Sequence, residues 1–173
     1  MMLLKWIQGL SFKKILKEAL IMGLIIVVMA NVISYFRQPE LSSHKLQLER
    51  LQTLNSGEVD ADMFEDAVMV HFWATWCPVC QTEEGNINFI ANHFDVVSVV
   101  VKSGADEQVL EYMEKEGVNF TVVNDRYGAL ASEHDVNVFP TTFIYNSEGE
   151  LVFTTVGYTS IVGLYLRMWW ASL

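Results

Sequence analysis

The only two cysteines of this 173-residue chain, Cys77 and Cys80, are separated by two residues. They follow the run 68–72 (VMVHF), which is typical of a buried strand, and they precede a stretch that can form a helix. If that helix begins at Cys77, positions i and i+3 lie on one face, one turn apart. Two thiols in this arrangement can form a small disulfide and open it again.

The start of the predicted helix favours a thiolate at Cys77. The first N–H groups of a helix have no intrahelical partner and carry partial positive charge. We therefore expect the pKa of the Cys77 thiol to lie below its ordinary value of about 8.5. Pro78 suits the first turn because it lacks an N–H group. Cys77 is thus predicted to attack a disulfide, and Cys80, one turn further and less exposed, to resolve the mixed disulfide.

Three other interpretations of the cysteine pair are weaker. A structural disulfide between residues three positions apart closes a very small loop, and the entropic stabilisation by a disulfide grows with loop length. A metal site needs more ligands, but the four histidines (His44, His71, His93 and His134) are scattered and lack zinc-motif spacing. The third interpretation is an inert pair of core cysteines. A strand before the motif and a helix after it favour a redox-active dithiol over all three.

The stretch 72–80 (FWATWCPVC) resembles the active-site signature of thioredoxin-fold proteins. It is most similar to the membrane-anchored TlpA-like group of bacterial envelopes and, within it, to the ScsD (suppressor for copper sensitivity D) branch of protein disulfide oxidoreductases. The similarity extends over about Leu48–Leu173 and includes Glu83 and the stretch 138–142 (VFPTT). The resemblance implies an enzyme, a protein disulfide oxidoreductase with a thioredoxin-like α/β fold and no bound cofactor or metal.

Ala19–Phe36 is an 18-residue stretch in which Asn31 and Ser34 are the polar residues. A helix of this length, at about 1.5 Å per residue, nearly spans a hydrocarbon core of roughly 30 Å. Four lysines precede the stretch and an arginine follows it, and this bias predicts a cytoplasmic N-terminus and a periplasmic C-terminal domain. The alternative is a cleaved signal peptide, because residues 28–30 (VMA) resemble a cleavage site. The 18-residue lead before the stretch favours an uncleaved, single-pass anchor in a bacterial inner membrane.

The predicted organisation has four parts: a basic cytoplasmic lead (1–18), a transmembrane anchor (19–36), a linker (37–47) and one thioredoxin-like domain (48–173). Charge follows the same division. Seven Lys or Arg face three Asp or Glu up to Gly57, whereas four face eighteen from Glu58 onward, a net charge of −14. Such an acidic domain argues against nucleic-acid binding, which needs basic side chains.

The periodicity of apolar residues predicts alternating strands and helices that end in an antiparallel hairpin. This order indicates a three-layer α/β sandwich with a mixed central sheet. Strands are predicted at 48–54, 68–73, 94–101, 119–123, 141–145 and 151–156, helices at 78–93, 105–116, 127–134 and 159–171, and a helical turn at 60–66.

Pro140 is the second position of interest. Taken alone it favours a trans bond, because only about 5–6% of X–Pro bonds in folded proteins are cis. The resemblance implies a cis Phe139–Pro140 bond that faces Cys77. It also implies that backbone groups next to this proline bind an extended peptide. Phe139 and Trp76 are therefore predicted to contact the substrate; simple core packing is the alternative for Trp76.

His71 departs from thioredoxins, which carry a buried acid at the matching strand position. A histidine can relay the proton of the resolving cysteine because its pKa lies near neutrality, or it can hydrogen-bond within the core. Both interpretations stay open. Glu83 and Glu84 are candidates for a proton carrier or for solvated helix charges, and the solvated role is favoured.

The residues and the resemblance together predict a membrane-anchored periplasmic thiol–disulfide oxidoreductase. Its partners are disulfide- or dithiol-bearing periplasmic proteins and a membrane redox partner such as a DsbD-like electron donor. The acidic domain disfavours a thiolate and so favours a reductant. Disulfide donation is the alternative direction, and a copper- or zinc-binding thiol module is the alternative class. An interaction protein with idle cysteines is a third possibility.

Overall fold

The computed structural model describes residues 12–36, 45, 46, 48, 50–55 and 57–173. The chain divides into two compact units, Met1–Arg37 and Gln38–Leu173. Most of the predicted lead and most of the predicted linker lie outside the described residues.

Within its described residues the first unit has the helix α1 (Phe12–Phe36), which includes the whole predicted transmembrane stretch. Apolar side chains along it are exposed, among them Leu20, Met22 and Leu24. Among the residues that the structure describes, no helix is both long enough and apolar enough to cross a membrane.

The second unit is an α/β domain, and the part of it that the structure describes has seven strands and four helices. The strands are β1 (Leu51–Gln52), β2 (Glu58–Val59), β3 (Val68–Trp73), β4 (Asp95–Val101), β5 (Thr121–Asp125), β6 (Thr141–Tyr145) and β7 (Leu151–Val156). The helices are α2 (Pro78–Ala91), α3 (Asp106–Glu116), α4 (Ala129–Glu133) and α5 (Ile161–Ala171). A 3₁₀ turn at Ala61–Met63 lies within the predicted helical turn.

Five of these strands form the central sheet, in the order β5-β4-β3-β6-β7. The strands β3, β4 and β5 run parallel, whereas β6 is antiparallel to both of its neighbours. This mixed sheet confirms the predicted arrangement. The central strand β3 is buried along its whole length, as expected for a strand that is covered on both faces.

Helices cover the two faces of the sheet and create two apolar cores. Successive β3 side chains point to opposite faces, so Met69 and Trp73 join one core and Val70 and Phe72 the other. The first core is completed by buried residues of α2, α3 and α5, and the second by residues of α4 and of the N-terminal segment. The result is the three-layer sandwich that the alternation of elements predicts.

The N-terminal part of the domain differs from the prediction. The predicted strand 48–54 is reduced to β1, which pairs antiparallel with β2 in a separate two-stranded sheet. Arg50 has a positive φ of 44°, so an extended strand cannot run through it. The connecting turn is closed by the N–H and hydroxyl groups of Thr53, which both donate to the carbonyl of Gly57.

Helix ends agree more closely with the sequence. Gly117 ends α3 in the left-handed conformation, with φ of 71°, which glycine adopts without steric cost. Ser160 caps the start of α5, and its hydroxyl oxygen accepts a hydrogen bond from the N–H of Gly163.

Candidate active site

Both cysteines lie at the start of α2, just after the end of β3. Cys77 is the N-cap residue of α2 and Pro78 occupies the first turn, as predicted. Cys77 and Cys80 are joined in a disulfide, with their Cα atoms 5.3 Å apart. The N–H of Cys80 donates to the Cys77 sulfur at 3.3 Å. The sulfur of Cys77 therefore contacts an N–H group of the first helical turn, where the dipoles of the helix favour negative charge.

The disulfide is largely covered, and the two cysteines differ in exposure. Cys77 is 6% exposed and Cys80 1%. Cys80 packs in the core on the α2 side of the sheet, together with Met69, Trp73 and Ile87. Cys77 is thus the more exposed of the two cysteines, and its attack before Cys80 stays a prediction.

The Phe139–Pro140 peptide bond is cis, as the resemblance implied. The carbonyl oxygen of Phe139 lies 3.8 Å from the Cys77 sulfur. The Phe139 ring meets the indole of Trp76 edge to face, with centroids 5.9 Å apart. The segment before β6 therefore meets the segment before α2, although the two are about 60 residues apart in sequence. This brings together four residues predicted for the site: Cys77, Trp76, Phe139 and Pro140.

Trp76 is 58% exposed beside the disulfide, so the alternative of simple core packing is wrong. Its indole N–H donates to the carbonyl oxygen of Lys102 at 3.1 Å. The adjacent N–H of Thr75 donates to the Ser103 hydroxyl at 3.0 Å, and the Gln81 amide donates to the carbonyl of Thr75 at 2.7 Å. The loop after β4 thus positions the segment that carries the first cysteine. The sequence contained no signal for this support.

His71 lies in β3 opposite Thr142 of β6, and its Nδ1 is 2.9 Å from the Thr142 hydroxyl. Alternation along β3 places His71 on the same face as Met69 and Trp73, the face covered by α2. Burial lowers the pKa of His71 to about 3. The ring is neutral over the range in which thiols titrate, so it cannot supply a proton as an imidazolium. This favours the core hydrogen bond over the proton relay.

Glu83 is fully buried, so the favoured prediction of a solvated helix charge is wrong. One carboxyl oxygen accepts the N–H of Thr159 at 2.7 Å, and the other has no hydrogen-bond partner. Burial raises the pKa of Glu83 to about 7, and the Thr159 hydrogen bond opposes this shift. A carboxyl group that titrates near neutrality, one turn after Cys80, has the properties of a proton carrier.

Glu84 is also not a solvated charge. It is buried and accepts a short hydrogen bond from the hydroxyl group of Tyr112 in α3. Burial raises the pKa of Glu84, the hydrogen bond from Tyr112 lowers it, and the negative charge of Glu116 raises it further. Tyr112 in turn packs against the Trp73 indole, with centroids 5.9 Å apart. Glu84 therefore connects α2 to α3 behind the disulfide.

Thr159, the first position of the predicted helix 159–171, makes two hydrogen bonds to α2. Its N–H donates to Glu83, and its carbonyl oxygen accepts the side-chain amide of Asn86 at 2.9 Å. Both contacts span more than 70 residues of sequence, so no local pattern predicts them. The beginning of α5 is thereby fixed to the helix that carries the cysteines.

No group of three or more His, Cys, Asp or Glu side chains is arranged to hold a metal ion among the described residues. The site offers a disulfide at a helix start, an exposed indole beside it and a peptide carbonyl next to the outer sulfur. This arrangement can exchange a disulfide with an extended protein segment.

Comparisons with known proteins agree with this chemistry. Residues 43–154 match the model of the AhpC/TSA family. A thioredoxin-like protein of Haemophilus influenzae is 32% identical over 166 residues, 94% of this chain and 98% of that protein. The thiol-disulfide oxidoreductase ResA of Bacillus subtilis is 34% identical over 115 residues, 62% of this chain and 63% of ResA. The crystal structure of StoA from Bacillus subtilis superposes with a TM-score of 0.61 at 26% identity, over 68% of this chain and 93% of StoA.

Proposed function

The chain belongs to the AhpC/TSA family and is a thiol–disulfide oxidoreductase with a thioredoxin-like fold, and we propose that it is a membrane-anchored periplasmic reductant of protein disulfides. The observation that supports disulfide exchange most directly is the Cys77–Cys80 disulfide at the start of α2, against the carbonyl of Phe139. The proposal includes the finer assignment to the TlpA-like group and its ScsD branch, which depends on the Cys-Pro-Val-Cys sequence.

In the proposed reaction the reduced enzyme carries a thiolate at Cys77. That thiolate attacks a disulfide sulfur of the partner, a new S–S bond forms, and the partner's other sulfur leaves as a thiolate. The Cys80 thiolate then attacks the Cys77 sulfur. The partner departs with both cysteines reduced, and the enzyme keeps the Cys77–Cys80 disulfide. Two electrons and two protons have moved to the partner, and a membrane dithiol donor of the DsbD-like kind restores the enzyme by the same exchange.

The groups around Cys77 support the two halves of this reaction. The N–H of Cys80, which now contacts the Cys77 sulfur, would stabilise a thiolate there. Glu83 is the proton carrier in this proposal, because its pKa of about 7 lets it accept and return a proton while Cys80 changes state. Trp76, Phe139 and Pro140 form the contact surface for an extended segment of the partner.

The reductant direction of electron flow is supported by the negative charge of the domain. A domain with net charge −14 from Glu58 onward disfavours a thiolate, and a less stable thiolate makes the dithiol a better reductant. Two buried carboxyl groups, Glu83 and Glu84, lie in the first turns after Cys80 and act in the same sense when ionised. Disulfide donation is the competing direction.

The proposed location follows from the N-terminal sequence. Ala19–Phe36 serves as an uncleaved anchor, with the lead 1–18 in the cytoplasm, the linker 37–47 outside the membrane and the domain 48–173 in the periplasm. The run of apolar residues and the lysines before it support this organisation. The exposed apolar side chains of α1 are consistent with a lipid environment.

Two measurements in cells test the proposal. Acid quenching followed by alkylation should find Cys77 and Cys80 mostly reduced, although the compartment oxidises thiols; a mostly oxidised pair would contradict the reductant direction. Cys80→Ser should accumulate mixed disulfides with periplasmic proteins, because the resolving thiol is missing. The matched control Cys77→Ser should trap none. If the two variants behave alike, the proposed order of attack is wrong.

A further inference from the structure

The C-terminal helix α5 is apolar on both sides. Leu164, Met168 and Ala171 are buried in the core on the α2 side of the sheet. The opposite side exposes five apolar side chains, which we call the outer α5 face: Val162 at 66%, Leu166 at 56%, Trp169 at 50%, Trp170 at 62% and Leu173 at 84%.

The spacing of the outer α5 face shows that it is a continuous stripe. Val162, Leu166, Trp169 and Leu173 are four, three and four positions apart, so they lie on one side of the helix and its last turn. A helix on the surface of a soluble domain normally presents polar residues on this side. The two tryptophans alone expose roughly 200 Å², and a contiguous apolar patch of a few hundred Å² marks an interaction site.

The segment that carries this face differs in charge from the rest of the domain sequence. Eighteen Asp and Glu residues lie between Glu58 and Glu150, whereas Leu151–Leu173 contains none and has Arg167 as its one charged residue. Carboxylates near an anionic lipid surface are repelled within about a Debye length. A basic protein partner would instead be attracted to the acidic surfaces elsewhere. The absence of acidic residues from this segment suits a lipid surface better than a basic protein; the carboxylates of Asp66 and Asp95 lie near it, where they line a cavity together with Ser172 at the end of α5.

The residue types at the outer α5 face also suit lipid. Tryptophan is enriched at the membrane–water interface, where its amphipathic ring lies at the level of the head groups. An apolar helical face flat in this region inserts to about 5–10 Å.

We infer that the outer α5 face lies in the head-group region of the membrane to which the chain is anchored. This inference depends on the proposed anchor. The linker 37–47 has eleven residues and extends to about 40 Å at most, so the anchor keeps the domain near the bilayer. Because Thr159 fixes the start of α5 to Glu83 and Asn86 of α2, a helix docked on lipid also sets the orientation of the cysteines relative to the membrane.

Fluorescence quenching in vesicles tests the inference. The full-length chain with Trp6→Phe is reconstituted into vesicles of phosphatidylethanolamine and phosphatidylglycerol, with or without lipid brominated near the head group. The emission of Trp169 and Trp170 is the difference between this protein and one that also carries Trp169→Phe and Trp170→Phe. We expect brominated lipid to quench that emission strongly. Leu166→Glu should abolish the quenching.

The matched control is Leu110→Glu, an equally drastic change at a position of α3 that is 41% exposed. It should leave the quenching unchanged. Both variants should retain the urea midpoint of the parent protein in detergent. Equal quenching in the two variants would overturn the inference.

Flotation of the same vesicles separates the two proposals. A protein that floats while Trp169 and Trp170 stay unquenched overturns the docking of α5 and leaves the anchor intact. A protein that does not float overturns the anchor, and the inference with it. A dimer in detergent that Leu166→Glu dissociates, found with unquenched tryptophans, would assign the face to a second copy of the chain and overturn the lipid contact.

Discussion

Glu83 is a single carboxyl group whose environment affects both chemistry and stability. It is fully buried, with one hydrogen bond from Thr159, and its pKa is raised from 4.5 to about 7. In the unfolded chain the same group ionises near 4.5, so folding favours its protonated form. The stability that it contributes is fully present below about pH 4.5 and is lost as the pH rises through 7.

Glu83→Gln is therefore expected to flatten part of the pH dependence of stability. The amide stays neutral and retains an oxygen for the N–H of Thr159. Relative to the variant, the wild-type protein should lose on the order of 2–3 kcal/mol of unfolding free energy between pH 4 and pH 8. Urea unfolding of the oxidised protein across this range measures the difference. Glu114→Gln on the exposed side of α3 is the control, and a wild-type profile parallel to that of Glu83→Gln would refute the burial effect.

Trp76 is expected to recognise the partner rather than to stabilise the domain. It is 58% exposed and lies against the Phe139 ring beside the outer sulfur. Trp76→Ala should lower kcat/KM for a peptide disulfide about tenfold, or about 1.4 kcal/mol, because an exposed aromatic anchor is lost. Reaction with a small disulfide should change much less, because it lacks the peptide segment that would pack on the indole.

The control for Trp76→Ala is Trp170→Ala, measured in detergent. Trp170 is 62% exposed but belongs to the outer α5 face. If both variants slow the peptide reaction equally, or if Trp76→Ala slows the small disulfide as strongly as the peptide, Trp76 has no specific role in recognition.

At the scale of elements, the strand β3 and the helix α2 were predicted well because their signals are local. The continuous apolar run 68–73 indicates a buried strand, and Pro78 after Cys77 marks a helix start. The strands β1 and β2 have two residues each, which is too short for any periodicity to show.

The contacts between elements were not predictable in the same way. The burial of Glu83 depends on Thr159, 76 positions away, and the hydrogen bond of His71 depends on Thr142, 71 positions away. A carboxylate near the start of a helix is usually solvated, so the local pattern pointed to the wrong environment. The cis bond before Pro140 was predicted from a family resemblance, whereas the local sequence favoured trans.

The link between α2 and α3 gives a prediction at this scale. Tyr112→Phe removes the hydroxyl group that donates to Glu84 and leaves a buried carboxyl group without this partner. Unfolding free energy should fall by about 1–3 kcal/mol. A double-mutant cycle with Glu84→Gln, measured by urea unfolding, isolates the coupling between the two side chains.

The control is Tyr127→Phe, at a side chain that is 80% exposed, which should change the unfolding free energy by less than about 0.5 kcal/mol. Strictly additive effects of Tyr112→Phe and Glu84→Gln would show that the two helices are not coupled through this pair.

At the scale of the whole molecule, the net charge of −14 from Glu58 onward predicts how salt affects the reaction. An acidic domain attracts cationic molecules, and salt screens that attraction beyond about 10 Å at 0.1 M ionic strength. The reduced enzyme should react severalfold more slowly with cystamine, a cationic disulfide, when the ionic strength rises from 0.01 to 0.5 M. Stopped-flow measurement of thiol loss gives the rates.

Two small disulfides serve as controls for the salt effect. The uncharged hydroxyethyl disulfide should react at a rate that salt hardly alters, and oxidised glutathione, an anion, should react faster at high salt. A rate for cystamine that is independent of salt would mean that the acidic surface only keeps the domain soluble.

The disulfide of this protein uses every sulfhydryl group that the chain possesses. The reduced chain therefore has two thiols that can be alkylated, and the oxidised chain has none. A chain joined to a partner by a mixed disulfide has one. The mass of the intact chain after alkylation therefore shows whether the cysteine pair is reduced, oxidised or joined to a partner. No other cysteine of the chain can divert the exchange into a second internal disulfide.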